Sequence, residues 1–329
     1  MKRAKGEKRI TCLHLPTPFP VGSVNVYFLN GPEPTLIDAG PHTEEAWEAL
    51  CEGLARAGSA PERIRRIILT HGHVDHYGLA CRIARASGAE ILAHKGDAAV
   101  IREHPEALYR WTAFLGRFLP QAGFSPEWAK GISDQIARCH AGYAGAVPVA
   151  RVLQDGEELS VGSFVLQVVH TPGHTPGSLG LLDPQTGFLL SGDTLLKTIT
   201  PNPVLQVFDD FFGERFENLV HYLTSLKKLE NLPVRRVLPG HRAEIWGIKT
   251  RLKTVREQIE ARKAKLLAIV RGREQTLHET TERLFSGLDN RQLLLAFFDC
   301  LGHLDLLRRE GLIEYDQRAG LIVVRAVGR

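Results

Sequence analysis

Cysteine is sparse and unpatterned in this chain. Its five cysteines, Cys12, Cys51, Cys81, Cys139 and Cys300, are odd in number, widely spaced and never form a C-x-x-C pair. Neither a disulfide framework nor a thiolate-bound zinc site is therefore expected. Long apolar runs are missing too: no segment approaches the roughly 18 uninterrupted apolar residues of a membrane span. The stretch "MKRAKGEKRI" at the start is basic, but no apolar run long enough for a secretory signal follows it. The expectation is a cytoplasmic protein with no membrane partner. A large charge of one sign is also absent. The net charge of +4 argues against a dedicated nucleic-acid protein and against an acidic tail. Residues 249–329 hold 16 Lys/Arg against 11 Asp/Glu, so an anionic partner has a weak case only near the C-terminus. Internal repeats and low-complexity linkers are lacking as well.

What is present reads as an ordinary globular chain. With 43% hydrophobic and 24% charged residues in 329 positions, it can bury one large domain and a smaller one. "VNVYFLNG" (24–31) alternates like a strand and "PTLIDAG" (34–40) pairs with it as a hairpin. "TEEAWEALCEGLARAG" has helical spacing, with Thr43 as N-cap and Gly58 as stop. "IRRIILTH" and "EILAH" read as buried strands. From 97 to about 140 the pattern turns helical and aromatic, with Trp111, Phe114, Leu115 and Phe118 on one face. That face suits either a lid over a substrate pocket or a surface between subunits of a homo-oligomer. Strands return with "EELSVGSFVLQVVH", "SLGLLD" and "GFLLSGD". A helix over roughly 214–230 then precedes the strand "VRRVLPGH". Strands, helix and strand thus occur twice, which suits helices packed outside two stacked sheets.

After about residue 250 the character changes. A long basic amphipathic helix, two further helices and a hairpin turning at "DQRAG" follow, in the order of a winged helix. The third of these helices, "NRQLLLAFFDCLGHLDLLRREG", is so apolar that it reads as packing against the main body or a partner subunit.

The stretch "LTHGHVDHYG" carries the chemistry. It places His71, His73, Asp75 and His76 within six positions, directly after an apolar run. Three more ligand-type residues follow comparable runs beside Gly or Pro: His174 in "HTPGHTPGS", Asp193 in "LLSGDT" and His241 in "VLPGH". Loops leaving a rigid sheet are where working residues concentrate. Five His and two Asp make a nitrogen–oxygen donor set suited to two borderline divalent ions, most simply zinc, with manganese or iron also acceptable.

With Asp38 in "LIDAG", these motifs form an ordered set spanning most of residues 10–245, and the chain resembles the metallo-β-lactamase superfamily of hydrolases. The resemblance implies an α/β (α+β) fold: an αββα sandwich with metals at one edge. It divides the chain into a catalytic domain over 1–250, with a helical insert at about 97–147, and a winged-helix-like domain over 251–329. By position, His71, His73 and His174 would hold one ion, Asp75, His76 and His241 the other, and Asp193 would bridge them. Asp38 would orient the ligands from behind. The implied reaction is attack of a metal-bridging hydroxide on a small ester, thioester or lactone, with Asp75 or Asp193 orienting it. Position alone recommends Tyr77, Lys197, Thr198 and Asn202 as substrate contacts. His94, His140 and His170 read as structural or loop histidines.

Departures narrow the resemblance. Asp193 stands where the best-known zinc β-lactamases carry Cys, which argues against antibiotic hydrolysis. His73 stands where diiron flavoproteins of this fold carry Glu, which favours hydrolysis over redox chemistry. The glutathione thioester hydrolases have the same ligand set, but their basic glutathione-binding residues have no match here. Three other readings stay open: a single-stranded RNA endonuclease of the lactamase-like group, a mononuclear-iron dioxygenase, and a non-enzymatic metal-binding protein.

Overall fold

The structure, a computed structural model, describes residues 10–328. Its first sheet contains β1 (Ile10–Leu15), β2 (Val24–Leu29), β3 (Thr35–Ile37), β4 (Arg66–Ile68), β5 (Glu90–His94) and β6 (Arg151–Leu153), hydrogen-bonded in that order. Helix α1 (Glu44–Arg56) lies between β3 and β4, and α2 (Val74–Tyr77) and α3 (Ala80–Ser87) follow β4. Between β5 and β6 come α4 (Lys95–Arg102), α5 (Glu106–Gln121) and α6 (Pro126–His140). The second sheet contains β7 (Glu158–Val161), β8 (Phe164–His170), β9 (Leu179–Asp183), β10 (Phe188–Gly192), β11 (Arg236–Pro239) and β12 (Ile245–Trp246), again neighbours in chain order. Helix α7 (Asn218–Glu230) separates β10 from β11. The chain then runs through α8 (Ile248–Arg271), β13 (Gln275–Thr276), α9 (Leu277–Leu284), α10 (Asn290–Arg309), β14 (Ile313–Arg318) and β15 (Leu321–Ala326). The last three strands form a sheet in the order β13-β15-β14.

The layers follow from strand periodicity. Successive side chains of a strand point to opposite faces. Leu36, Ile67 and Ile91 therefore pack with Leu50, Leu54 and Ile83 of α1 and α3. Their neighbours Ile37, Ile68 and Leu92 meet Leu166, Val168 and Leu181 of the second sheet. On that sheet's far side Val169, Leu182 and Leu189 pack with Leu226 of α7 and Leu252 of α8. Central strands covered on both faces read as continuous apolar runs, which is how they look in the sequence. The result is the expected αββα sandwich.

Local signals hold where a side chain closes them. Thr43 caps α1, its hydroxyl accepting from Ala46 N at 3.2 Å, and Gly58 turns the chain beyond it at φ +75°. Helix α7 begins at Asn218 rather than near 214. Upstream of it, Asp210 Oδ1 accepts from Phe212 N at 3.0 Å in a local turn.

The aromatic face of the insert is turned inward. Phe114, Leu115 and Phe118 of α5 are buried with Phe297, Leu301 and Leu304 of α10, so the insert and the C-terminal segment share one core. The boundary expected after residue 250 falls inside α8, whose first turns pack on α7 while Leu266 and Val270 join the core around α10.

Candidate metal centre

Four loops converge at the C-terminal ends of β4, β8, β10 and β11, carrying His71–His76, His174, Asp193 and His241. All seven expected ligand residues come together there. Three sets have ligand atoms within 4.8 Å of one another: His71, His73 and His174; His71, His76 and Asp193; and Asp75, His76 and His241. Asp193 faces both pockets. Its Oδ1 lies 3.5 Å from His76 Nε2, and its Oδ2 lies 3.8 Å from His174 Nε2 and 3.7 Å from His241 Nε2. Asp75 Oδ2 is 3.3 Å from His241 Nε2.

Fixed acceptors behind the rings decide which nitrogen faces inward. His174 Nδ1 donates to the Asn202 carbonyl at 2.9 Å, and His241 Nδ1 donates to the Ser23 carbonyl at 2.9 Å. His76 Nδ1 donates to Asp38 Oδ2 at 2.8 Å. Thr70 gives its own proton to Asp38 Oδ2 (2.8 Å), so His71 Nδ1 must donate to the Thr70 hydroxyl at 3.1 Å. With Nδ1 committed to these outer partners, each of these rings turns its Nε2 into the site.

The inward-facing ring nitrogens crowd one another. His71 Nε2 stands 3.1 Å from His73 Nδ1, and His76 Nε2 stands 3.2 Å from His241 Nε2. His174 Nε2 and Asp193 Oδ1 are buried without any hydrogen-bond partner. Two divalent cations would satisfy all of these atoms, and the nitrogen–oxygen set fits them.

The electrostatics agree. Burial, with the neighbouring imidazoles, holds His71 and His73 well below the ordinary histidine range. Burial opposes charge on His76, yet Asp193, Asp38 and Asp75 together raise it to about 10. Burial likewise opposes charge on His241, which Asp193 and Asp75 still raise. Burial would lift Asp75, but His76 and His241 outweigh it and hold the carboxyl below the usual range. The carboxylates thus make the floor of the site a place for positive charge.

Backbone detail supports the approach of the loops. A Cβ on Gly240 would lie 2.7 Å from His76 Cε1, so only glycine lets the His241 loop close on β4's loop. Asn25 on β2 ties that loop down, its Nδ2 donating to the carbonyls of Pro239 (2.9 Å) and Arg242 (2.8 Å).

The expected substrate contacts fare differently. The expectation for Tyr77 is corrected: it is fully buried in the core beneath α1 and α3. Its hydroxyl pairs with His104 Nδ1 at 3.1 Å, so it cannot donate to substrate. In helix α2 one step past His76 turns a side chain by about 100°, from the site into the core. Lys197 and Thr198 are exposed on the loop after Asp193, with Thr198 accepting from Arg242 at 2.9 Å. Asn202 backs His174 through its carbonyl and reaches Leu295 O on α10 at 2.8 Å with its side chain. His94 and His170 stack on each other 3.8 Å apart.

His140 ends helix α6. Phe19 meets the His140 ring edge-on at 5.3 Å and the Tyr143 ring at 5.5 Å, a cluster that the sequence does not reveal.

A sequence profile of the metallo-beta-lactamase superfamily matches residues 19–241. The chain belongs to that superfamily. It is 28% identical over 305 residues to the probable metallo-hydrolase YqjP of Bacillus subtilis, covering 92% of this chain and 93% of that one. It is 27% identical over 226 residues to the acyl-coenzyme A thioesterase MBLAC2 of Gallus gallus, covering 66% of this chain and 72% of the relative. The metallo-beta-lactamase family protein TTHA1429 of Thermus thermophilus superposes with a TM-score of 0.80 at 28% identity, covering 97% of this chain and 98% of that one. As a superfamily member with His/Asp clusters able to bind metal ions, the protein is a metallo-hydrolase. No helix among the described residues is long and apolar enough to cross a membrane.

Proposed function

We propose that this metallo-hydrolase cleaves thioesters of a small acyl group on a thiol carrier, using two divalent cations, most simply zinc. The observation that carries the reading is Asp193, a buried carboxylate within 3.8 Å of His76, His174 and His241. Its neighbours fall naturally into two pockets, His71/His73/His174 and Asp75/His76/His241. Similarity to an acyl-coenzyme A thioesterase supports the substrate class. Bound cations supply Lewis-acid activation of water and of the thioester carbonyl.

The chain's own residues do the rest. The imidazoles present Nε2 to the site because carbonyls and Asp38 hold their outer Nδ1 protons. Asp75 and Asp193 accept hydrogen bonds from the attacking water and aim it at the carbonyl carbon. Water contributes its oxygen to the acyl product as the carbon–sulfur bond breaks, and the proton passes to the departing sulfur.

The C-terminal segment fits a winged-helix-like unit over 251–329, given its order of helix, strand, helix, helix and hairpin. Helix α10, which would read a nucleic acid in such a unit, buries Phe297, Phe298, Leu301 and Leu304 in the shared core. That favours a packing role for α10 and a small-molecule substrate over a nucleic acid. Release of free thiol from acyl-coenzyme A substrates and S-lactoylglutathione tests the reading. Thiol release that stops on chelation and returns with zinc is expected. Turnover of a phosphodiester or lactone, with none of any thioester, would overturn it.

A further inference from the structure

Asp97 belongs to none of the ligand motifs, yet it is 3% exposed and sits between two ligand-bearing loops. Its Oδ2 accepts from Gly72 N at 2.8 Å, midway between His71 and His73. The same oxygen accepts from the Thr175 hydroxyl at 2.6 Å, next to His174. Its Oδ1 accepts from Gly177 N at 2.9 Å, three residues past His174. The packing leaves no slack. A Cβ on Gly177 would lie 2.5 Å from Asp97 Cγ, and one on Gly72 would lie 3.1 Å from Asp97 Cβ. A Cβ on Gly96 would meet the Pro176 carbonyl carbon at 2.7 Å.

We propose that Asp97 is the positioning residue of the His71/His73/His174 pocket, a single carboxylate that fixes the spacing of the two loops supplying its three imidazoles. The inference rests on the two-cation reading above. The other pocket is held by different groups: Asp38 behind His76, and Ser23 and Asn25 behind the His241 loop. Asp97 reaches none of these. A carboxylate is needed because both oxygens face backbone N–H groups at Gly72 and Gly177. An amide would have to turn its NH₂ against one of them, and the loop on that side would lose its tie.

The test is site-resolved cation binding, with zinc titrated into chelator-stripped protein. Wild type should take up two zinc ions per chain. Asp97→Asn should weaken one of the two sites by about 10–100-fold and leave the other unchanged. In a His241→Ala background, where only the first pocket is complete, Asp97→Asn should show that loss in full. In a His174→Ala background it should have almost no effect. Thr175→Val removes one of the three bonds and should give a smaller loss at the same site, which covers the case in which Asp97→Asn fails to fold. Equal weakening of both sites, or wild-type affinity in Asp97→Asn and Thr175→Val alike, would overturn the assignment while leaving the two-cation reading intact. If wild type bound no zinc, both would fall.

Discussion

Asp38 adopts left-handed backbone at φ +63° while its carboxylate accepts hydrogen bonds from Thr70 N, Thr70 Oγ1 and His76 Nδ1. Only Asn and Asp among residues with a Cβ visit that region readily. Asp38→Asn should therefore keep the backbone yet lose one acceptor, lowering divalent-cation affinity by about 10–100-fold. Asp38→Ala should add about 1–2 kcal/mol of backbone strain to that loss. Cation titration and urea unfolding of the two variants check this; wild-type affinity in Asp38→Asn would contradict it. The seven inward-facing groups are legible in the sequence because each stands in a short polar motif after an apolar run. The roles of Asp97 and Asn25 are not, since their partners lie far along the chain: Asn25 meets Pro239 and Arg242, and Asp97 meets Thr175. Tyr77 departs from expectation because adjacency to a ligand says nothing about which side of a helix a residue takes.

At the scale of elements, α10 binds the molecule together. It shares a core with α5, and its Asp305 receives both terminal nitrogens of Arg215 from the loop before α7, the Nη1 contact at 2.7 Å. Tyr315 of β14 donates to the same carboxylate at 2.9 Å. The side chains of Arg215 and Asp305 are 2% and 3% exposed. Removing one partner strands a buried charge, so Asp305→Ala should destabilise the protein by about 3–5 kcal/mol. Urea unfolding measures it; an unchanged midpoint would contradict the role given to this pair. The long helices and buried strands are readable from their periodicity. β13, with only Gln275 and Thr276, is too short to carry a pattern, and it exists because β15 offers it an edge. The last hairpin lies where the sequence places it, but its turn is confined to Ala319 and Gly320, both at positive φ, so β14 extends through Arg318. Such a tight two-residue turn follows the twist of the paired strands.

For the whole molecule, two sheets with their C-terminal strand ends at one edge deliver seven ligand groups from four loops to one place. The insert and the C-terminal segment, distant in sequence, close over a common core beside that edge. No stretch of sequence states this directly; it arises once the strands find their order. The account stands on the seven groups acting as two adjoining cation pockets. Anomalous diffraction at the zinc edge, from crystals grown with excess zinc, tests that claim most directly. Two peaks are predicted, one among His71, His73 and His174 and one among Asp75, His76 and His241, with Asp193 between them. A single peak elsewhere, or none within this cluster, would contradict it.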